Sequence, residues 1–466
     1  MNLADLGAGE IARTVGTGDI TAGQVVEDCL ARIAERDPAL NAFSVVLADR
    51  ARAEADRLDD HLQAGGQPGP LQGVPVAVKE EIDVVGCVTT FGGRGNSTPA
   101  RADSEVVRRL REAGAVVIGK TRMPEFGQWP FTESVAGGHT RNPWDRTRTP
   151  GGSSGGTAVA VAAGMVPFGL GGDGGGSIRI PAACCGLFGL KPERGRVTSS
   201  PVPHLWWSLG TIGPLTRSVL DSALVYDVLR GNVDGDMFRA ADPSSSFVEA
   251  ALRPPGTLRV GWSTAPVGKG VRPDLQSVRA VRETADALAR LGHDVREVDP
   301  HYPDPTAAFV PQFFGGVRSE ADAVEHFDRL ERRTRETYRL GSWVTQRVLR
   351  AALRAGERVA ERADRVFAAP DGVDVLLTPT IAERPRAVGA LDTGGTLTLS
   401  RRAMPMIAYT ALWNVTGHPA ASVPAGIGPD ALPLAVQLVG RRCDETTLLS
   451  LAAQLERERP WSMPAW

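Results

Sequence analysis

Glycine constrains this chain more than any other residue: eleven of the 26 residues from Gly151 to Gly176 are glycine, and two serines, Ser153 and Ser177, stand 24 positions apart at the ends of that run. A backbone without Cβ turns sharply and can aim several N–H groups at one point, as charge developing on a carbonyl oxygen requires. A solvated linker would also be rich in glycine. Against that, the stretches Thr157 to Ala163 and Val166 to Leu170 are small and apolar, and they read as a buried helix followed by a strand.

A second constraint is the scarcity of lysine. Of 52 basic residues only four are lysine (Lys79, Lys120, Lys191 and Lys269), the rest being arginine. Arginine does not lose its proton in proteins, whereas a lysine desolvated among apolar neighbours can serve as a base. Lys79 follows Val74-Pro-Val-Ala-Val, so its amine is expected at a strand end facing the interior, although pairing with Glu80 or Glu81 at the surface is the plainer alternative. Together the glycine clusters and Lys79 offer a nucleophile, a proton relay and a base.

The formal net charge is −2 with 23% charged residues, so neither nucleic acid nor a membrane surface is expected as a partner, and a small molecule is. Five scattered cysteines lack the spacing of a disulfide framework or a zinc site and suggest reduced thiols in the cytoplasm. The seven histidines form no close pair and no HExxH, so no metal or other cofactor is expected. The N-terminal residues do not resemble a secretory signal, and the uncharged stretch from Gly155 to Gly172 is too rich in glycine and small residues for a membrane span.

Periodicity predicts helices over residues 22–36 and 44–62, a strand over 74–79, a helix from Ser104 to Gly114 and a strand over 115–118. Further on it predicts a helix from Ser218 to Arg230, strands near 258–262, 293–298, 373–379, 421–424 and 432–439, and helices over 273–291, 319–340, 343–368 and 444–455. The alternation indicates a single large α/β domain, residues 1–466, with a central sheet flanked by helices.

Three shorter patterns compete for a function. Gly114 to Thr121 satisfies the Walker A spelling, which would make the chain a nucleotide-binding protein, but its loop positions are Ala-Val-Val-Ile and read as strand. Gly169 to Gly174 matches GxGxxG without the helix that should follow directly. Gly151 to Gly155 matches GxSxG, with His418 as a conceivable partner, yet this leaves the second glycine–serine cluster unexplained.

Taken in order, Gly73-Val-Pro-Val-Ala-Val-Lys79, Gly119-Lys-Thr-Arg-Met-Pro-Glu-Phe126, Gly151-Gly-Ser-Ser-Gly-Gly156, Asp173-Gly-Gly-Gly-Ser-Ile-Arg-Ile-Pro-Ala182 and Trp413-Asn-Val-Thr-Gly-His-Pro resemble the amidase signature family, closely over about 70–220 and recognisably over 405–455. The resemblance implies a mixed central sheet and a Ser–cis-Ser–Lys triad. Ser177 would be the acylated nucleophile, Ser153 the bridging serine in a cis peptide and Lys79 the base. It further implies an oxyanion hole from the N–H groups of Gly174, Gly175, Gly176 and Ser177, with Ser154, Asp173 and Arg179 supporting the site. The implied substrate is a small amide.

Gly172, Gly174 and Gly93 depart from the residues usual in the family and affect the substrate expectation more than the chemistry. The variable region, about 230–400, would help form a pocket in which Gly127, Gln128, Trp129 and Trp207 are candidates, with Phe131, Trp206, Phe313 and Phe314 as further aromatics. As a set they favour a hydrophobic or aryl acyl group. Carbamates and esters remain open, as does a glutaminase-type amidotransferase subunit, although Met123 to Pro130 is more similar to the stand-alone amidases. A homodimer is left open.

Overall fold

The computed structural model describes residue 3 and residues 6–267, 270–368 and 372–465, so Lys269 lies outside the described residues. One mixed sheet of eleven strands dominates. In chain order the strands are β1 (Phe43–Val46), β2 (Pro75–Lys79), β3 (Val116–Thr121), β4 (Phe168–Asp173), β5 (Phe188–Lys191), β6 (Thr211–Thr216), β7 (Arg259–Trp262), β8 (Asp294–Glu297), β9 (Val375–Pro379), β10 (Ala420–Ile427) and β11 (Pro433–Gly440). Their spatial order is β1-β3-β2-β4-β6-β5-β10-β11-β9-β7-β8. Strands β2, β3, β4, β5, β6, β9 and β11 are buried along their whole length, as near-continuous apolar runs require when helices cover both faces.

The central strands fix the site. β2 pairs in parallel with β4 through Val76–Phe168 and Val78–Leu170, so Lys79 and Asp173 end at the same edge of the sheet. The helix Gly155–Ala162 packs over these two strands. Its approach is close enough that a Cβ on Gly169 would lie 2.5 Å from Thr157 Cγ2.

Two predicted helices are corrected. Residues 44–46 are not helical: they belong to β1, which pairs antiparallel with β3, and the helix starts later, at Ala48–Gln63. A sheet partner distant in sequence outweighs the local helical pattern there. The predicted helix over 319–340 is two elements, the end of Thr306–Ala323 and the separate Arg332–Leu340. Between them the chain is held by the 89–98 loop, where Glu325 accepts the Ser97 and Thr98 N–H groups and the His326 N–H donates to the Gly95 carbonyl.

Candidate active site

Lys79 closes β2 with 1% of its surface exposed. Its Nζ donates to Ser153 Oγ at 2.8 Å and lies 2.9 Å from Glu81 Oε1. The lysine therefore faces the interior and still keeps a carboxylate partner, a combination not anticipated from the sequence. The Gly152–Ser153 peptide is cis. Ser154 ties the two glycine clusters together: its Oγ donates to the Gly172 carbonyl at 3.1 Å, and its N–H donates to the Ser177 carbonyl at 3.3 Å.

Asp173 ends β4 and organises the turn that carries Ser177. Its carboxylate accepts the N–H of Gly176 at 2.7 Å and of Ile178 at 3.2 Å, and it forms a buried ion pair with Arg179. Burial alone would push this carboxyl up, but the Arg179 guanidinium and the Asn414 amide hold it well below the usual carboxylate range. Arg179 also donates to Asn414 Oδ1 at 2.7 Å, Gln437 Oε1 at 2.8 Å and the Thr410 carbonyl at 3.1 Å. Thr410, Asn414 and Gln437 thus join a network that the glycine pattern could not reveal.

One oxyanion donor is corrected here. The Gly176 N–H is committed to Asp173, which leaves Gly174, Gly175 and Ser177 as candidate donors without a protein acceptor among the described residues. Gly176 is needed for its shape: its φ is +126°, and a Cβ there would lie 2.4 Å from Thr410 Oγ1.

Ser177 stands where two cavities meet. The larger, of about 390 Å³, is walled mainly by Trp129, Trp206, Phe309, Phe313, Phe314 and Leu412. The smaller, of about 40 Å³, is walled by Lys79, Glu81, Ser153, Leu205, Trp206 and Glu320 among others. Gly127, Gln128 and Trp129 line the larger cavity, but Trp207 lines neither. Its ring stacks on His204 at 4.3 Å, and Trp206 takes its place. Phe131 is core, fully buried.

The three unusual glycines share one explanation, because another side chain fills each missing one. A Cβ on Gly172 would meet Glu81 Oε1 at 2.2 Å, one on Gly93 would meet Glu125 Oε1 at 2.1 Å, and one on Gly174 would meet the Trp206 ring at 3.3 Å. Glu125 is buried and pushed up to about 7, chiefly by desolvation. Glu320 is pushed well above the carboxylate range by burial and by the nearby Glu81 charge.

The competing patterns are committed elsewhere. Val116–Thr121 form β3, and buried Lys120 donates to Thr89 Oγ1 at 3.2 Å, so no phosphate loop exists there. His418 is buried with Nε2 2.9 Å from Asp364 Oδ1 and Nδ1 2.9 Å from Thr416 Oγ1, which rules out the GxSxG pairing. Among the described residues, Glu133, His139 and Asp392 form a group with metal-ligand spacing. Glu133 is already bound by the backbone N–H groups of Gly389 and Leu391, each at 2.8 Å.

The Amidase family profile matches residues 24–449. "Putative amidase AmiB2" of Mycobacterium tuberculosis (strain ATCC 25618 / H37Rv) is 49% identical over 99% of this chain and 98% of its own length. Among solved structures, 6-aminohexanoate cyclic dimer hydrolase superposes with a TM-score of 0.92 at 32% identity, covering 100% of this chain and 99% of that one. A bacterial aryl acylamidase of the amidase signature enzymes superposes with a TM-score of 0.87 at 28% identity, covering 98% and 96%.

Proposed function

Given that this chain belongs to the Amidase family and is a hydrolase of carbon–nitrogen amide bonds, we propose that it cleaves small linear amides with an apolar or aryl acyl group, through an acyl-enzyme on Ser177. The observation that carries the acyl preference is the aromatic cavity of about 390 Å³ opening on Ser177. A glutamine side chain would leave its amide unpartnered against such walls, which disfavours the glutaminase-type reading. Residues 70–220 would form the catalytic core, and 230–400 supply Phe309, Phe313 and Phe314 to the cavity. The five cysteines, unpaired, suit a cytoplasmic setting.

In this reading Lys79 takes a proton from Ser153 while Ser153 takes one from Ser177, whose Oγ attacks the substrate carbonyl. The 2.8 Å contact between Lys79 Nζ and Ser153 Oγ is the line along which the first of these protons moves. Charge gathers on the carbonyl oxygen before the N–H groups of Gly174, Gly175 and Ser177, each such donor being worth about 3 kcal/mol in comparable sites. When the tetrahedral intermediate collapses, the C–N bond electrons stay with nitrogen, Ser153 supplies that nitrogen with a proton, and Lys79 restores the proton to Ser153. Water then repeats the cycle on the ester.

The test is Ser177→Ala and Lys79→Ala, each assayed on an arylacetamide with the fold checked by circular dichroism. Each variant is expected to remain folded and to lose about 10⁴-fold or more in kcat, as single deletions in other catalytic triads do. Turnover within tenfold of the parent in either variant overturns the assigned roles.

A further inference from the structure

Two cavities of very different size meet at Ser177, and they do not share the proton relay. Ser153 and Lys79 line only the smaller. In the chemistry proposed above, on which this step rests, the departing nitrogen must lie within hydrogen-bond reach of Ser153, because Ser153 protonates it. The leaving group therefore occupies the smaller cavity, and the acyl group the larger one. We infer that the smaller cavity, lined by Trp206, Leu205 and Glu320, favours a leaving group of the size of ammonia, so that the preferred substrates are primary amides of apolar and aryl carboxylic acids.

Volume decides this. The smaller cavity offers about 40 Å³, about a tenth of the 390 Å³ of the larger and well short of the roughly 150 Å³ of a cavity that binds benzene. Ammonia fits there more readily than an aniline ring. The walls are built from several elements. Trp206, with φ +48°, packs its ring where side chains are missing at Gly174 and Gly316, the latter placing a would-be Cβ 2.5 Å from Trp206 Cδ1.

Trp206 Nε1 donates to Glu320 Oε1 at 2.8 Å, which braces the glutamate across the space. Glu320 Oε2 is sealed from solvent and has no hydrogen-bond partner among the described residues. Such an orphaned buried oxygen is destabilising unless something meets it. A primary amide group, and then ammonia, is small enough to do so. Burial and the nearby Glu81 charge push the Glu320 carboxyl well above the carboxylate range, which disfavours a second negative charge beside the relay.

The experiment measures kcat/KM for three substrates sharing one arylacetyl group: the primary amide, the N-methyl amide and the anilide. The full chain, Glu320→Ala and Leu205→Ala are compared, and Ser177 labelling by a small alkyl fluorophosphonate is followed in each. The expected result is a preference of at least 100-fold for the primary amide over the anilide in the parent. Either variant, which removes a side chain that lines the smaller cavity and not the larger, is expected to narrow that preference at least tenfold, with the gain in anilide kcat rather than in KM alone.

An anilide cleaved within tenfold of the primary amide by the parent overturns the inference while leaving the acyl-enzyme reading intact. So does a preference unmoved in a folded, labelled variant. Failure of Ser177 to label, with no amide of the series cleaved, overturns both.

Discussion

Removing the charge of Asp173 while keeping its shape, as Asp173→Asn, should damage both stability and turnover, and the structure gives the size of the effect. Asp173 and Arg179 are both fully buried, and the carboxylate uses both oxygens, accepting Arg179 Nη2 at 2.9 Å and Nε at 3.0 Å as well as the Gly176 and Ile178 N–H groups. An asparagine offers one acceptor oxygen and turns an amine toward donors on its other side, leaving the guanidinium charge uncompensated. Breaking one side of a buried pair in this way costs about 3–5 kcal/mol. For 466 residues, at about 2.1 cal/mol/K per residue, the unfolding entropy is about 1 kcal/mol/K, so Tm should fall by about 3–5 °C.

Calorimetry on Asp173→Asn, Arg179→Met and the double variant then closes a cycle. The double variant should be more stable than the sum of the single losses implies, by about 2 kcal/mol, because the orphaned charge is gone. Its amide turnover should remain as low as that of Asp173→Asn, since the turn bearing Ser177 is still unanchored. A Tm for Asp173→Asn within 1 °C of the parent would refute the claim that this pair holds the nucleophile turn.

Two further outcomes follow from residues that replace missing side chains. Glu125 rises from its ordinary 4.5 to about 7 in the folded chain, so the native state retains a proton that the unfolded state has lost. Stability should therefore fall as pH rises from about 4.5 to about 7 and level off above, by about 3 kcal/mol in all; Glu125→Gln should remove that part of the slope, and thermal melts between pH 4.5 and 8.5 measure it. Gly172→Thr should drive Glu81 off Lys79, since the new Cβ would start 2.2 Å from Glu81 Oε1. Turnover should drop at least tenfold, with part of it returned by adding Glu81→Ala, and steady-state kinetics on the three variants decide.

The sequence was informative where chemistry leaves a compositional mark. Lys79 stood out because lysine is scarce, and Ser153 and Ser177 because glycine crowds around them. The strands were legible because buried β2, β3 and β4 are written as short apolar runs. Where a tertiary partner decides, the pattern failed. The helix Thr306–Ala323 contains Pro311 and the Gly315-Gly316 pair, which read as breaks, yet Gly316 is small so that Trp206 can pack against it. Choosing Trp206 over Trp207 required knowing which neighbour turns toward Ser177, and φ is positive at both. Glu81 was legible only as one of two possible surface partners of Lys79, whereas it meets that lysine in the interior, and Glu320 gave no local signal, since it acts by bracing an indole 114 positions away.

The most direct measurement is intact mass after treatment with a fluorophosphonate, followed by peptide mapping of the adduct. The expected result is a single adduct on Ser177, absent in Ser177→Ala and formed at least 100-fold more slowly in Lys79→Ala. An adduct on Ser153, or labelling of Ser177→Ala at the parent rate, would contradict the assignment of Ser177 as the nucleophile served by Lys79 through Ser153.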